Sequence, residues 1–268
     1  MSDDAQVKAN ARAMWASGDF PKVARETIHE VGPALVEAAG VRTGARVLDV
    51  GAGPGTTSIP AALAGGDVVA SDLTPELLEA GRHAAIAAGV ALQWVEADAE
   101  ALPFADASFD VVLSSFGVMF APNQQAAAGE LLRVTRPGGT IAVANWTPEG
   151  WVGDMFRAMA PFAPPRPEGA PAPVAWGDED HVRALLGDGV SEFVFERRVL
   201  PFRFASPEAM IAFYRENFGP TIMAYRSVAD DPARTAELDA ALAGVGARGF
   251  HDGRYDAEYL LTVARRTP

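Results

Sequence analysis

The stretch Val47-Leu-Asp-Val-Gly-Ala-Gly-Pro-Gly-Thr-Thr57 puts three glycines within five residues, directly after a run of apolar and β-branched residues. Glycines in that position permit a tight turn and let a ligand lie against bare backbone. Two familiar readings fail on spacing. A dinucleotide fingerprint needs a small third residue for close helix-to-strand packing, and counting from Gly51 puts Gly53 correctly but Thr56 at that third place. A phosphate loop needs Gly-Lys-Ser/Thr after four spacers, and no lysine lies near.

The neighbouring runs decide what kind of loop it is. Apolar stretches of strand length recur at 45–51, 67–72, 91–98, 109–116 and 139–146. Between them lie segments with helical spacing, TTSIPAALAG, TPELLEAGRHAAIAAG and NQQAAAGELLRVTRPGG. Thr74-Pro75-Glu76 reads as a helix start, with Thr74 as N-cap and Pro75 at the first helical position. Pro137-Gly138-Gly139 reads as a helix stop. Strands alternating with helices predict right-handed crossovers and a mostly parallel sheet covered on both faces, an α/β fold. Two acids fall at successive strand ends beside the loop. Asp72 suits the two hydroxyls of a ribose, and Asp98 suits an amino group of adenine. Together they describe a nucleoside pocket.

At this point the chain resembles the class I S-adenosylmethionine-dependent methyltransferases, most closely the ubiquinone/menaquinone-biosynthesis-type branch that acts on small molecules. The resemblance rests on VLDVGAGPGTTS, VVASDLTPELLEAGR, WVEADAEALPFADASFDVVLSSFGVMFAPN and ELLRVTRPGGTIAVANW, which span residues 46–146. It implies a Rossmann-like, seven-stranded sheet of order 3-2-1-4-5-7-6 with the last strand antiparallel, and a helical cap. It further implies that Gly51, Ala52 and Gly53 form the floor under the methionine part and that Asp49 supports the loop from below. Asp72 would hold the ribose diol, Leu73 would pack on adenine, and Asp98 and the Ala99 amide would address the adenine edge. Ser114 would offer its carbonyl to the methionine ammonium group, and Trp15 or Phe116 an aromatic face to the sulfonium. S-adenosylmethionine is the implied cofactor, with S-adenosylhomocysteine as product.

The flanks complete one domain of four parts. Residues 1–40 carry cap helices at about 5–16 and 21–39, 41–146 form the cofactor-binding core, 147–190 a proline-rich insert or lid, and 191–268 the C-terminal strands and helices. Six prolines in 161–176 argue against regular structure there, leaving a stiff linker or a substrate lid. The tail predicts a strand at 190–204, helices at about 206–218 and 231–246, and a strand at 257–266.

Methyl transfer from a sulfonium asks the protein chiefly to align the reacting atoms in a dry cavity; a base is needed only when the acceptor must lose a proton. Many relatives place a histidine after the fourth strand, where this chain has Val118-Met119-Phe120, which suggests an apolar acceptor pocket. Of the histidines at 29, 83, 181 and 251, His29 on the cap helix is the leading base candidate, and Tyr214 and Asn217 are candidates for the acceptor wall. Net charge is −13, with 35 acids against 22 bases, a balance that repels nucleic acid. Cysteine is absent, which excludes disulfides and thiolate metal sites. No metal, no membrane span, a cytoplasmic location, a small-molecule acceptor and a homodimer complete the expectations.

Overall fold

Five parallel strands carry the first half of the chain: β1 (Arg46–Val50), β2 (Asp67–Asp72), β3 (Gln93–Glu96), β4 (Phe109–Ser115) and β5 (Thr135–Trp146). The tail adds β6 (Val190–Arg203) and β7 (Arg254–Arg266), and β7 inserts antiparallel between β5 and β6. The sheet order is β3-β2-β1-β4-β5-β7-β6, as the resemblance implied. This computed structural model describes residues 3–163 and 169–268, so part of the proline-rich stretch lies outside the described residues.

The central strands are apolar because both faces are covered. Val47, Leu48, Val112 and Leu113 are fully buried. Helices α3 (Val31–Ala39), α4 (Ser58–Leu63), α5 (Pro75–Ala88) and α6 (Gln124–Val134) make the covers. At the sheet's edge, β3 is only half buried and correspondingly more polar.

Four local expectations change. The predicted 21–39 helix is broken: α2 (Phe20–Val23) runs into a π-helical turn, Ala24–Ile28, before α3 begins. Within that turn Thr27 Oγ1 donates to the Val23 carbonyl at 2.7 Å, a back-bond that competes with the regular ladder. Gly32 then lets α3 press on the glycine loop, since a Cβ there would lie 1.9 Å from the Thr56 carbonyl oxygen. The helix before β5 stops at Val134, not at the Pro-Gly-Gly run. That run is a bulge inside β5, where pairing to β4 jumps from Phe109–Thr135 to Val111–Thr140 and Gly138 takes φ +71°. Thr74 does cap α5 through its backbone, but its hydroxyl makes no capping bond. Between α9 (Pro207–Asn217) and α11 (Pro232–Gly249) stands an additional helix, α10 (Gly219–Ser227), restarted by Gly-Pro.

The N-terminal helix α1 (Asp3–Trp15) lies across the carboxyl ends of the strands, and α7 (Trp151–Met159) follows β5 on the same side. Past α7, the end of the proline-rich stretch is pinned rather than loose. Trp176 is fully buried and Gly177 sits against the Trp146 carbonyl, while α8 (Glu179–Leu186) follows.

Candidate functional site

A deep cleft opens above the carboxyl ends of β1 to β4 and encloses about 1250 Å³, counting its open mouth. This is where an open α/β sheet binds ligands. Its floor is the loop after β1. Gly51, Gly53 and Gly55 all have positive φ (65°, 54° and 87°), a region side chains resist. At Gly51 there is also no room: a Cβ would approach the Gly117 Cα to 2.7 Å. The Ala52 amide donates to the Ser71 carbonyl at 2.9 Å, which ties the loop to β2.

Asp72 is the structural centre of this end. Its Oδ2 accepts from the Gly53 amide and its Oδ1 from the Thr74 amide, each at 2.8 Å. The carboxylate therefore fixes the glycine loop and the start of α5 together, while still lining the cleft. Burial pushes its pKa upward despite those bonds. Asp49 lies beneath the loop, outside the lining. Ser58 Oγ donates to its Oδ2 at 2.5 Å, its Oδ1 has no hydrogen-bond partner, and burial pushes its pKa up to about 7. Leu73, Ala97, Asp98 and Ala99 form the adjoining wall. Asp98 Oδ2 is paired with Lys8 of α1 at 2.5 Å, and its Oδ1 accepts from the Glu100 amide at 2.9 Å.

Ser114 is not among the residues lining the cleft. It is fully buried, its hydroxyl donates to the Val50 carbonyl at 2.6 Å and accepts from the Val118 amide at 3.0 Å, and Ser115 and Phe116 line the cleft instead. The hydroxyl acts as a strut between two strand ends. Phe116 does line the cleft, with φ +55°, and its ring stacks on Trp146 at 3.8 Å. A non-glycine residue at that φ costs about 1 kcal/mol or more, so the stack holds strained backbone at the cleft wall.

The other end of the cleft is aromatic. Trp15 meets Phe20, Phe120 and Phe218 edge-on, with ring centroids at 5.1, 4.8 and 5.9 Å. Thr27 and Ile28 from the π turn, Val152 and Met155 from α7, Phe202 from β6 and Tyr214 from α9 close the wall. Tyr214, a candidate by sequence, is among the residues that line this wall. Asn217 is not; its Nδ2 donates to the Phe213 carbonyl at 2.8 Å.

His29 is corrected. It caps the π turn on the outside, its side chain is 63% exposed beside Glu30, and it does not line the cleft. The turn brings its preceding residues, Thr27 and Ile28, inward and leaves His29 facing water. His83 and His251 pair with Glu79 and Asp256 at the surface, and His181 bonds Gln124 Oε1 at 2.7 Å. No histidine is among the described residues lining the cleft. Of the described residues of 147–190, Val152 and Met155 of α7 line the cleft and none of 160–177 does. No group of His, Cys, Asp and Glu suited to a metal was found among the described residues. No described helix is long and apolar enough to cross a membrane.

Spacing on α1 could have shown more. Lys8, Ala11 and Trp15 recur at three and four residues, one helical face, and all three line the cleft. Phe202, Met155 and Thr27 carry no comparable local signal.

Residues 48–143 match the family model described as a methyltransferase domain. The chain is 46% identical over 265 residues to the uncharacterized protein Rv1405c of Mycobacterium tuberculosis, covering 98% of this chain and 97% of that one. It is 45% identical over 113 residues to the demethylmenaquinone methyltransferase of Renibacterium salmoninarum, covering 42% of this chain and 46% of that enzyme. Among solved structures, YcgJ from Bacillus subtilis shares the fold with a TM-score of 0.62 at 18% identity, covering 90% of this chain and 99% of that one. The donor-side residues fit the cofactor those matches imply: a glycine floor without Cβ and a carboxylate in the cleft wall at the end of β2. The chain belongs to the class I S-adenosylmethionine-dependent methyltransferases.

Proposed function

We propose that this methyltransferase acts on a small, largely apolar metabolite, at an oxygen, nitrogen or carbon atom, and that the aromatic end of the cleft holds it. The observation that carries this reading is the division of the cleft's lining. Its charged side chains, Asp72, Asp98 and Lys8, gather at the donor end, Phe20 stands beside Gly53 between the two, and Trp15, Phe120, Phe202 and Phe218 wall the other. No charged side chain lines that end to pair with a charged acceptor, so a cation, or an anion not matched to the donor's own charge, would leave water at a cost of several kcal/mol, roughly.

When bound, S-adenosylmethionine supplies an already activated methyl group on a sulfonium. The chain's work is to seat it and keep water away. Gly51 to Gly53 offer bare backbone, Asp72 offers carboxylate lone pairs beyond the two that hold the loop, and Leu73, Ala97 and Ala99 pack the apolar faces. Alignment in such a cavity contributes several kcal/mol to the rate, roughly. Incubation with methyl-labelled donor and a fractionated metabolite extract should yield a labelled product that partitions into organic solvent. Label confined to charged, water-soluble products would sink the apolar-acceptor reading.

A further inference from the structure

One polar group at the acceptor end plays no part in seating the donor. Tyr214 is 4% exposed, lines the cleft, and has its ring fixed by Phe218, Phe204 and Trp151 at 5.5, 6.0 and 6.5 Å. Burial holds its pKa above that of a free phenol, outweighing hydrogen bonding by Thr27, so the side chain stays a hydroxyl donor. Thr27 beside it gives its own proton to the Val23 carbonyl, so the Tyr214 hydroxyl donates to Thr27 Oγ1 until a stronger acceptor, an oxyanion, takes that bond over.

The rest of that wall offers nothing to take a proton. Among the described lining residues the carboxylates are Asp72 and Asp98, the first engaged with two backbone amides and the second with Lys8. A neutral hydroxyl is a weak nucleophile, and with no base within reach its proton has nowhere to go. An acceptor that ionises in water before entry removes this difficulty. A lone anion among aromatic rings is costly, but a fixed hydroxyl donor and the donor's positive charge offset that cost.

Resting on the methyl-transfer reading above, we propose that Tyr214 donates a hydrogen bond to the oxyanion of an acceptor that enters already ionised, an aromatic or enolic molecule with an acidic hydroxyl. Transfer then forms the oxygen–methyl bond with an oxygen lone pair and breaks the sulfur–methyl bond, whose electrons remain on sulfur. Anion and cation become two neutral groups, and no proton is left for the protein to remove. Acceptor binding therefore depends on the charge of the donor already in place.

The probe is 4-nitrophenol, whose ionised form absorbs visible light, added to protein holding either S-adenosylmethionine or S-adenosylhomocysteine. The sulfonium complex should bind it at least about 10-fold more tightly than the product complex and show the band of the ionised form. It should also prefer the phenol to 4-nitroanisole, which has no ionisable hydroxyl. Tyr214→Phe should weaken nitrophenol binding by about 10- to 100-fold while donor affinity, read by calorimetry, stays unchanged. Equal binding to both complexes, a bound phenol without the ionised band, no binding at all, or a Tyr214→Phe variant that binds like the parent would each overturn the proposal. Should the variant fail to fold, the nitrophenol–nitroanisole comparison on the parent protein decides. Failure of S-adenosylmethionine itself to bind would instead strike the methyl-transfer reading.

Discussion

At the donor end of the cleft the lining, Lys8 of α1 apart, comes from the loop after β1, the end of β2, the residues just past β3 and the turn after β4, within one continuous hundred-residue stretch. At the acceptor end it comes mostly from α1, α2 and its π turn, α7, β6 and α9, elements drawn from both ends of the chain, with Phe120 of the turn after β4 added from the core. The donor end works through backbone amides, missing side chains and buried carboxylates. The acceptor end works through ring edges and two hydroxyls. A ligand shared by every member of a fold can be held by the parts that define the fold, whereas a variable ligand is met by parts added around it. If that division is real, substitutions at one end should leave binding at the other nearly untouched.

The largest effect should come from Gly51→Val. The new Cβ and its branches meet Gly117 backbone, and the residue must also hold φ +65°, so both the loop and the β4 turn have to move. Donor affinity should fall by more than about 100-fold in a calorimetric titration, an effect of roughly 3 kcal/mol. Near-parental affinity would show that the loop is not the floor of the donor site.

Phe218→Ala tests the opposite end. Phe218 is 7% exposed and meets both Trp15 and Tyr214. Its loss should lower stability by about 3 kcal/mol and raise KM for an apolar acceptor, with donor affinity changed less than about threefold. Coupled loss of donor binding would break the comparison, since it would make the aromatic wall part of the donor site.

How legible each end was follows from the same division. The glycine loop, Asp72 and Asp98 could be read because strand ends, turns and their spacing are local properties of the chain. Ser115 was not singled out because strand alternation decides which of Ser114 and Ser115 turns its side chain to the cleft, and that depends on where β4 ends. His29 was misassigned because a regular helix was expected where Thr27 bonds back to Val23 and a π turn changes the facing. Phe202 reaches the cleft from the outermost strand β6, although β7 stands between β6 and β5. No pattern within residues 190–203 announces that placement. The Pro-Gly-Gly bulge in β5 was missed for a related reason: glycine and proline punctuate strands as well as helices.

Asp49 sharpens the comparison through pH. Its pKa rises from the ordinary 3.8 to about 7 on folding because burial penalises its charge, with Ser58 opposing and Asp72 adding to the rise. The folded chain thus holds a proton that the unfolded chain has released between those values, so stability falls as pH rises from about 4 to about 7 and levels off above. The slope for one proton approaches about 1.4 kcal/mol per pH unit. Asp49→Asn should flatten this part of the profile in denaturant melts, whereas Phe218→Ala should shift the whole profile down without changing its shape. A parental slope in the Asn variant would locate the titration elsewhere, with Asp72 next in line because burial raises its pKa too.

The smallest expected effect lies where the two ends touch. Lys8 of α1 pairs with Asp98 Oδ2 at 2.5 Å and Glu100 Oε2 at 3.0 Å, and Arg12, one turn on, pairs with Glu96 at 2.8 Å. These bonds hold the helix that carries Trp15 against the strand end that carries Asp98, so the cover of one site is fastened to the wall of the other. The Lys8 and Asp98 side chains keep 21% and 24% of their exposure, and pairs of this kind contribute about 0.2 to 1 kcal/mol. Lys8→Ala should therefore alter donor affinity less than about fivefold at low salt, with the difference shrinking as salt screens the parental pair. A loss above tenfold that persists in high salt would mean that α1 shapes the adenine wall itself, and the donor end could no longer be treated as a property of the core alone.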